Sequence, residues 1–190
     1  MPLIKISELH DIAEQNLQSF ASIFDETKIE KTASKKLTES YDNFSVENTY
    51  HIFLSHSYLD AKSVYGLKEI LEYEGLTVFV DWLDPKYYDR ENVDANRAGE
   101  LRDQMKNCDS LLFAVSDNSS TSKWMPWELG YFDGYKDKVA IIPLNKNYRD
   151  IAFFDGQEYL GIYPYVQKYK NSLKIFSPDH KEIDNLINWI

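Results

Sequence analysis

The sequence predicts an α/β domain built on a parallel sheet with helices on both faces. Three observations lead there. From Tyr50 onward short apolar runs alternate with helical patterns: YHIFLSHS, DAKSVYGLKEILEYEG, LTVFVDW, NRAGELRDQMKNC, SLLFAVS, KWMPWELGYFDGYKD and VAIIPL. The strand-like runs are nearly continuous in apolar residues, which marks strands buried on both faces. Finally, 190 residues with 43% hydrophobic content are enough for one sizeable core and an appendage.

Taken in order, Ile6, Leu9, Ala13, Leu17, Phe20 and Phe24 recur at helical steps and predict an amphipathic helix over 6–24, with Ser7 as a cap. A more polar helix follows to about Asp42, with Ile29, Ala33 and Leu37 on one line, and the chain turns extended at 44–49. This N-terminal piece, 1–47, reads as a helical extension of a main domain over 48–190. Either it docks a partner or second copy, or it folds against its own domain; the pattern alone fits both. After VAIIPL comes a less regular region, then the run EYLGIYPYV and a last helix, KEIDNLINWI. No repeat, low-complexity tract or Pro-rich linker interrupts the chain.

Composition excludes several functions. A net charge of −10 argues against a general nucleic-acid or anionic-membrane binder, which needs clustered Lys and Arg. One cysteine, Cys108, sits in a strand-like run and cannot form a disulfide within a monomer, which points to a reducing compartment. The N-terminus lacks a secretory pattern, and no segment approaches the roughly 18 apolar residues of a spanning helix. A cytoplasmic protein is expected. There is no G-x-G-x-x-G and no P-loop, so dehydrogenase and NTPase readings fall away. The histidines, His10, His51, His56 and His180, lack zinc-ligand spacing, and no metal or cofactor is expected.

Parallel sheets bind ligands beyond the carboxyl ends of their strands, so candidate residues are sought there. The first main-domain strand ends in Ser55-His56-Ser57, where Ser57 and Asp60 match a capping box and the helix start offers a seat for phosphate or ribose. A Ser-His-Asp hydrolase is disfavoured, because the G-x-S-x-G elbow is missing. The next strand ends in Asp81-Trp82, with Asp81 either touching a ligand hydroxyl or fixing the turn before Pro85, and Trp82 anchoring the loop. Lys62, Arg90, Arg97 and Lys123 could each attract an anion, and none is singled out. In SKWMPWELG, Trp124 and Glu128 lie four apart, which on a helix sets an indole beside a carboxylate. Pro126 fits only a first helical turn, so Trp124 could enter from the loop.

IFLSHSYLD, VFVDW, and SKWMPWELG followed by VAIIPL, in that order, resemble the Toll/interleukin-1 receptor (TIR) domain family, especially its bacterial stand-alone members of anti-phage defence. The resemblance covers roughly residues 48–190. It implies a flavodoxin-like core with a five-stranded parallel sheet. It also implies an NAD-cleaving enzyme in which Glu128 is the carboxylate required for breaking the nicotinamide–ribose bond and Trp124 its aromatic partner. Ser55, His56, Ser57, Asp81 and Trp82 would line the substrate. NAD+ would be substrate rather than cofactor, and the product would be an ADP-ribose-derived signal read by a separate effector protein. Active relatives work as assemblies, so self-association through a loop at residues 83–95 is implied. The other readings are a non-catalytic TIR adaptor, for which the Trp124 and Glu128 pair would be unnecessary, and a nucleoside deoxyribosyltransferase-like enzyme, which would differ in substrate.

Overall fold

In the computed structural model, residues 3–17, 26–43, 48–57, 61–82, 95–116, 119–146, 158–170 and 172–190 are described. Strand β1 (Ile4–Lys5) leads directly into helix α1 (Ile6–Leu17), and α2 (Glu26–Asp42) follows. Strand and helix then alternate: β2 (Tyr50–Ser55), α3 (Ala61–Tyr73), β3 (Val78–Val80), α4 (Ala95–Lys106), β4 (Cys108–Val115), α5 (Trp124–Lys136) and β5 (Val139–Asn145). A short 3-10 segment (Glu158–Ile162) precedes β6 (Tyr165–Tyr169), β7 (Ser172–Phe176), β8 (Glu182–Asn185) and the one-turn helix α6 (Leu186–Trp189).

The strands form one sheet in the order β3-β2-β4-β5-β6-β7-β8. From β3 to β6 every pair is parallel, which is the five-stranded parallel core that the family resemblance implies. The sheet then continues with β7 and β8, both antiparallel to their neighbours, and β1 pairs in parallel with the end of β5 through Ile4 and Leu144.

Because side chains alternate across a strand, each strand feeds two cores. Ile52 and Leu54 of β2, Val78 and Val80 of β3, Leu112 and Ala114 of β4, and Ala140 and Ile142 of β5 face α3, together with Leu9 of α1 and Leu37 of α2. Their neighbours Phe53, Phe79, Leu111, Phe113 and Ile141 face Leu101 and Met105 of α4 and Met125, Leu129 and Phe132 of α5. This doubly covered sheet explains the continuous apolar runs in the sequence.

Helices α1 and α2 are folded against the domain. Ile6, Leu9, Ala13 and Leu17 of α1 and Ile29, Ala33 and Leu37 of α2 are all buried. A Cβ on Gly66 of α3 would stand 2.2 Å from the Leu9 carbonyl oxygen, so glycine is what lets the two helix backbones approach this closely. At its far end α3 stops at Gly75, whose φ of +87° suits glycine, while Leu76 N–H donates to the Leu71 carbonyl at 3.2 Å.

Several elements differ from the sequence expectation. The first helix ends its described span at Leu17; Phe20 and Phe24 lie outside the described residues. The strand in LTVFVDW is only three residues long. The expected terminal helix over 181–190 is instead β8 followed by α6, because a turn at 177–181 folds the chain back to pair Lys174 with Asn185 and Ile175 with Asp184. Of its apolar residues only Leu186 is buried, and Ile183 and Ile187 are half exposed, so the helical spacing there had no face to cover. Cys108 is fully buried in β4, and burial pushes its thiol up to about 12. Among the described residues no helix is long and apolar enough to cross a membrane.

Candidate active site

The parallel strands end at one edge of the sheet, and the residues singled out in the sequence gather there. Ser55 closes β2, with His56 and Ser57 directly after it; Asp81 and Trp82 follow β3; Trp124 and Glu128 open α5, which follows β4. All three residues after and at the end of β2 are buried, with Ser55 1% exposed.

Helix α5 aims its carboxylate inward for local reasons. Ser122 accepts from the Met125 N–H at 3.2 Å and so serves a helix start that has no side-chain bond from Lys123 at the N-cap position. Trp124 is the first helical residue rather than part of the loop, and Pro126 falls within the first turn, where its missing N–H has no intrahelical acceptor to lose. One turn on, Glu128 shares a buried face with Met125, Leu129 and Phe132. Its side chain is 5% exposed.

A buried carboxylate needs donors, and Ser55 supplies one: its hydroxyl donates to Glu128 Oε2 at 2.6 Å. This short charge-assisted bond joins β2 to α5 across the mouth of the sheet. Trp124 stands beside it, half buried, edge-on to Trp127 with centroids 5.5 Å apart. The Trp124 indole N–H is buried and has no acceptor among the described residues. A carboxylate, a hydroxyl and an indole face with an unused donor thus meet at one strand edge.

His56 turns the other way. Its Nδ1 faces the Leu54 carbonyl at 2.9 Å and, since a carbonyl only accepts, carries the proton. Its ring stacks on Trp82 with centroids 5.0 Å apart and planes 15° from parallel. Trp82 is fully buried, and its Nε1–H donates to Ser34 Oγ of α2 at 3.0 Å. Asp81 pairs with the buried Arg97 of α4. Burial alone would lower the Arg97 pKa, but the Asp81 carboxylate outweighs it and raises it, so the guanidinium stays charged. Arg97 also donates to Glu100 at 2.9 Å and to the Tyr41 hydroxyl at 3.2 Å.

The structure therefore brings Ser55, Glu128 and Trp124 together and sets Asp81, Trp82 and His56 in an adjoining layer. Of the basic residues weighed from sequence, Lys62 is tied to Glu14 at 2.6 Å, Arg97 is tied to Asp81, and Lys123 is exposed. Arg90, Asp60 of the expected capping box and the loop at 83–94 lie outside the described residues. Ser34 and Tyr41 were missed. The one signal that pointed to them is that Ser34, Leu37 and Tyr41 fall at helical steps on α2, a stripe that continues from apolar Leu37 into polar residues.

Comparison with known proteins places the chain in one family. A family model described as TIR domain matches residues 52–169, from the third residue of β2 through β6. A protein of Bacillus cereus (strain MSX-D12) named "Probable 3' cyclic ADP-D-ribose synthase ThsB'" is 52% identical over 140 residues, covering 73% of this chain and 72% of that protein. A second, "Putative cyclic ADP-D-ribose synthase TIR2" of Cytobacillus dafuensis, is 26% identical over 91 residues, 47% of this chain and 24% of that protein. With the sheet order, the matched span and the relative of similar length in agreement, the chain belongs to the TIR domain family.

Proposed function

We propose that this protein cleaves the nicotinamide–ribose bond of NAD+ and closes the ADP-ribose part into a cyclic nucleotide signal for anti-phage defence. The observation that carries the reading is the buried Ser55–Glu128 pair beside Trp124 at the carboxyl ends of the parallel strands. The names of both relatives, as cyclic ADP-D-ribose synthases, support the same reaction.

The chemistry suits a single carboxylate. The leaving group is a cationic pyridinium, and when the C–N bond breaks its electron pair stays on nitrogen, so neutral nicotinamide departs without a proton. No general acid is needed. Positive charge grows on the ribose ring, and a carboxylate already stripped of most of its water stabilises that charge more than one in bulk solvent. Glu128 fills this role. Ser55 holds one carboxylate oxygen in place, and Trp124 offers the nicotinamide an aromatic wall and a donor for a ligand carbonyl. A nucleophile within the ADP-ribose part then captures the ribose carbon and gives a cyclic product; if the nucleophile is a hydroxyl it releases its proton, and capture by water instead gives linear ADP-ribose and a proton.

The test is direct. Concentrated wild-type protein and Glu128→Gln are incubated with NAD+, and nicotinamide and adenine-containing products are resolved by mass spectrometry. Wild type is expected to release nicotinamide with a cyclic co-product, and the variant to fall by at least about 100-fold while staying folded. A folded wild type that leaves NAD+ intact, alone and under crowding, would sink the reading in favour of an adaptor. The reading extends to self-association and to a separate effector that binds the cyclic product. Activity that rises more steeply than linearly with protein concentration is the expected sign of the first.

A further inference from the structure

We infer that Ser34, on the N-terminal helix α2, is a positioning residue for the reaction, acting through Trp82 and His56 on the Ser55–Glu128 pair; the inference rests on the function proposed above.

The contacts form a continuous path. Ser34 Oγ accepts from Trp82 Nε1 at 3.0 Å, Trp82 stacks on the His56 ring at 5.0 Å, His56 is bonded to the Leu54 carbonyl at 2.9 Å, and Ser55, between Leu54 and His56, donates to Glu128 at 2.6 Å. Every side chain on this path from Trp82 to Glu128 is buried. A second arm grips the neighbouring residue. Two helical turns along α2, the Tyr41 hydroxyl accepts from Arg97 at 3.2 Å and from Gln104 Nε2 at 3.2 Å, and Arg97 holds Asp81. Helix α2 thus holds Trp82 directly through Ser34 and Asp81 indirectly through Tyr41 and Arg97, the two residues that follow β3, with Leu37 between its two polar side chains in the core.

Why this reaches the chemistry follows from the packing. Trp82 has no solvent side on which to relax, so losing the Ser34 acceptor leaves a buried indole N–H short of a partner and favours a shifted ring. His56 follows the face on which it is stacked, and the backbone of Ser55 is covalently next to it. Displacements well under an ångström at a reacting carboxylate are enough to change rates. The polar side chain of α2 therefore belongs to the active-site scaffold, although it touches neither substrate nor Glu128.

The whole chain tests this with Ser34→Ala, Ser34→Thr and, as a control on the same helix, Thr32→Ala, whose hydroxyl among the described residues donates within α2, to the Lys28 carbonyl. Ser34→Ala is expected to lower kcat about tenfold with KM little changed, and Ser34→Thr to restore it. Thr32→Ala is expected to match wild type. In NMR spectra, the His56 ring protons, shielded by the indole, are expected to move downfield in Ser34→Ala and not in the other two. If Ser34→Ala does not fold, Trp82→Phe removes the N–H while keeping a ring and serves in its place. Unchanged His56 signals in a folded Ser34→Ala overturn the inference whatever the activity, and so does an unchanged kcat. A wild type that releases no nicotinamide refutes the proposed reaction, and with it Ser34's positioning role in that reaction. The His56 signals then report separately whether the path from α2 exists.

Discussion

Ser55 and Glu128 stand 73 positions apart in sequence and 2.6 Å apart in space. That bond carries most of what is special about the site, because it lets an acidic side chain stay at 5% exposure without losing every hydrogen-bond donor. Hydrogen bonds to charged groups contribute about 1.5–3 kcal/mol, so their removal is felt. Ser55→Ala is expected to slow nicotinamide release by about 10- to 100-fold, less than the loss at Glu128→Gln. Steady-state kinetics of the two variants side by side check the order, and a Ser55→Ala as fast as wild type would mean that the serine only fills space. At this scale the sequence was informative. Trp124 and Glu128 were legible from their spacing and from the family they resemble, and Ser55 from its place at a strand end. Ser34 and Tyr41 were not, since nothing local distinguishes a serine or tyrosine on a polar helix until the opposing residue is known.

At the scale of elements, the decisive contacts are between helices. The α1 and α3 backbones meet at Gly66, where an added methyl would sit 2.2 Å from the Leu9 carbonyl oxygen. Alanine is the better helix former by about 1 kcal/mol, yet overpacking of a closed contact costs about 1–3 kcal/mol, and backbone atoms on both sides leave no side chain to swing away. The steric cost wins. Gly66→Ala is expected to destabilise the protein by up to about 2 kcal/mol, read as a lower urea midpoint at unchanged slope; a raised midpoint would show that α1 can move off α3 freely. The elements most visible in the sequence were those with a full apolar face, α1, α2 and the central strands. The terminal helix failed because its helical spacing was not matched by burial. Strand pairing to β7 competes with local propensity there, and pairing is a property of two segments at once.

At the scale of the whole molecule, the N-terminal segment and the TIR core share one interior. Leu3, Ile4, Ile6, Leu9, Leu17, Ile29 and Leu37 are buried, and fully burying a side chain of this size contributes about 1.5–3 kcal/mol. Together these amount to about 10–20 kcal/mol, as large as the 5–15 kcal/mol or so of net stability typical of a domain. A chain beginning at residue 44 is therefore expected to be insoluble or to unfold without a cooperative transition, checked by soluble yield and thermal denaturation followed by circular dichroism. A soluble 44–190 with a sharp transition would mean that the two N-terminal helices are separable after all.

The sequence by itself determined the class of fold and the sheet edge at which a site was to be sought. Strands buried on both faces must be apolar throughout, helices that cover them must be amphipathic, and parallel strands leave their ligand edge at one end. Those are local patterns, written in consecutive residues. Only the tertiary structure decided that Ser55 bonds Glu128, that Asp81 is spent on Arg97, and that a helix from the N-terminal extension reaches through Trp82 toward the site. Each of these joins residues far apart in the chain, and a contact of that kind depends on the angle and distance at which whole elements pack, which no stretch of sequence states alone.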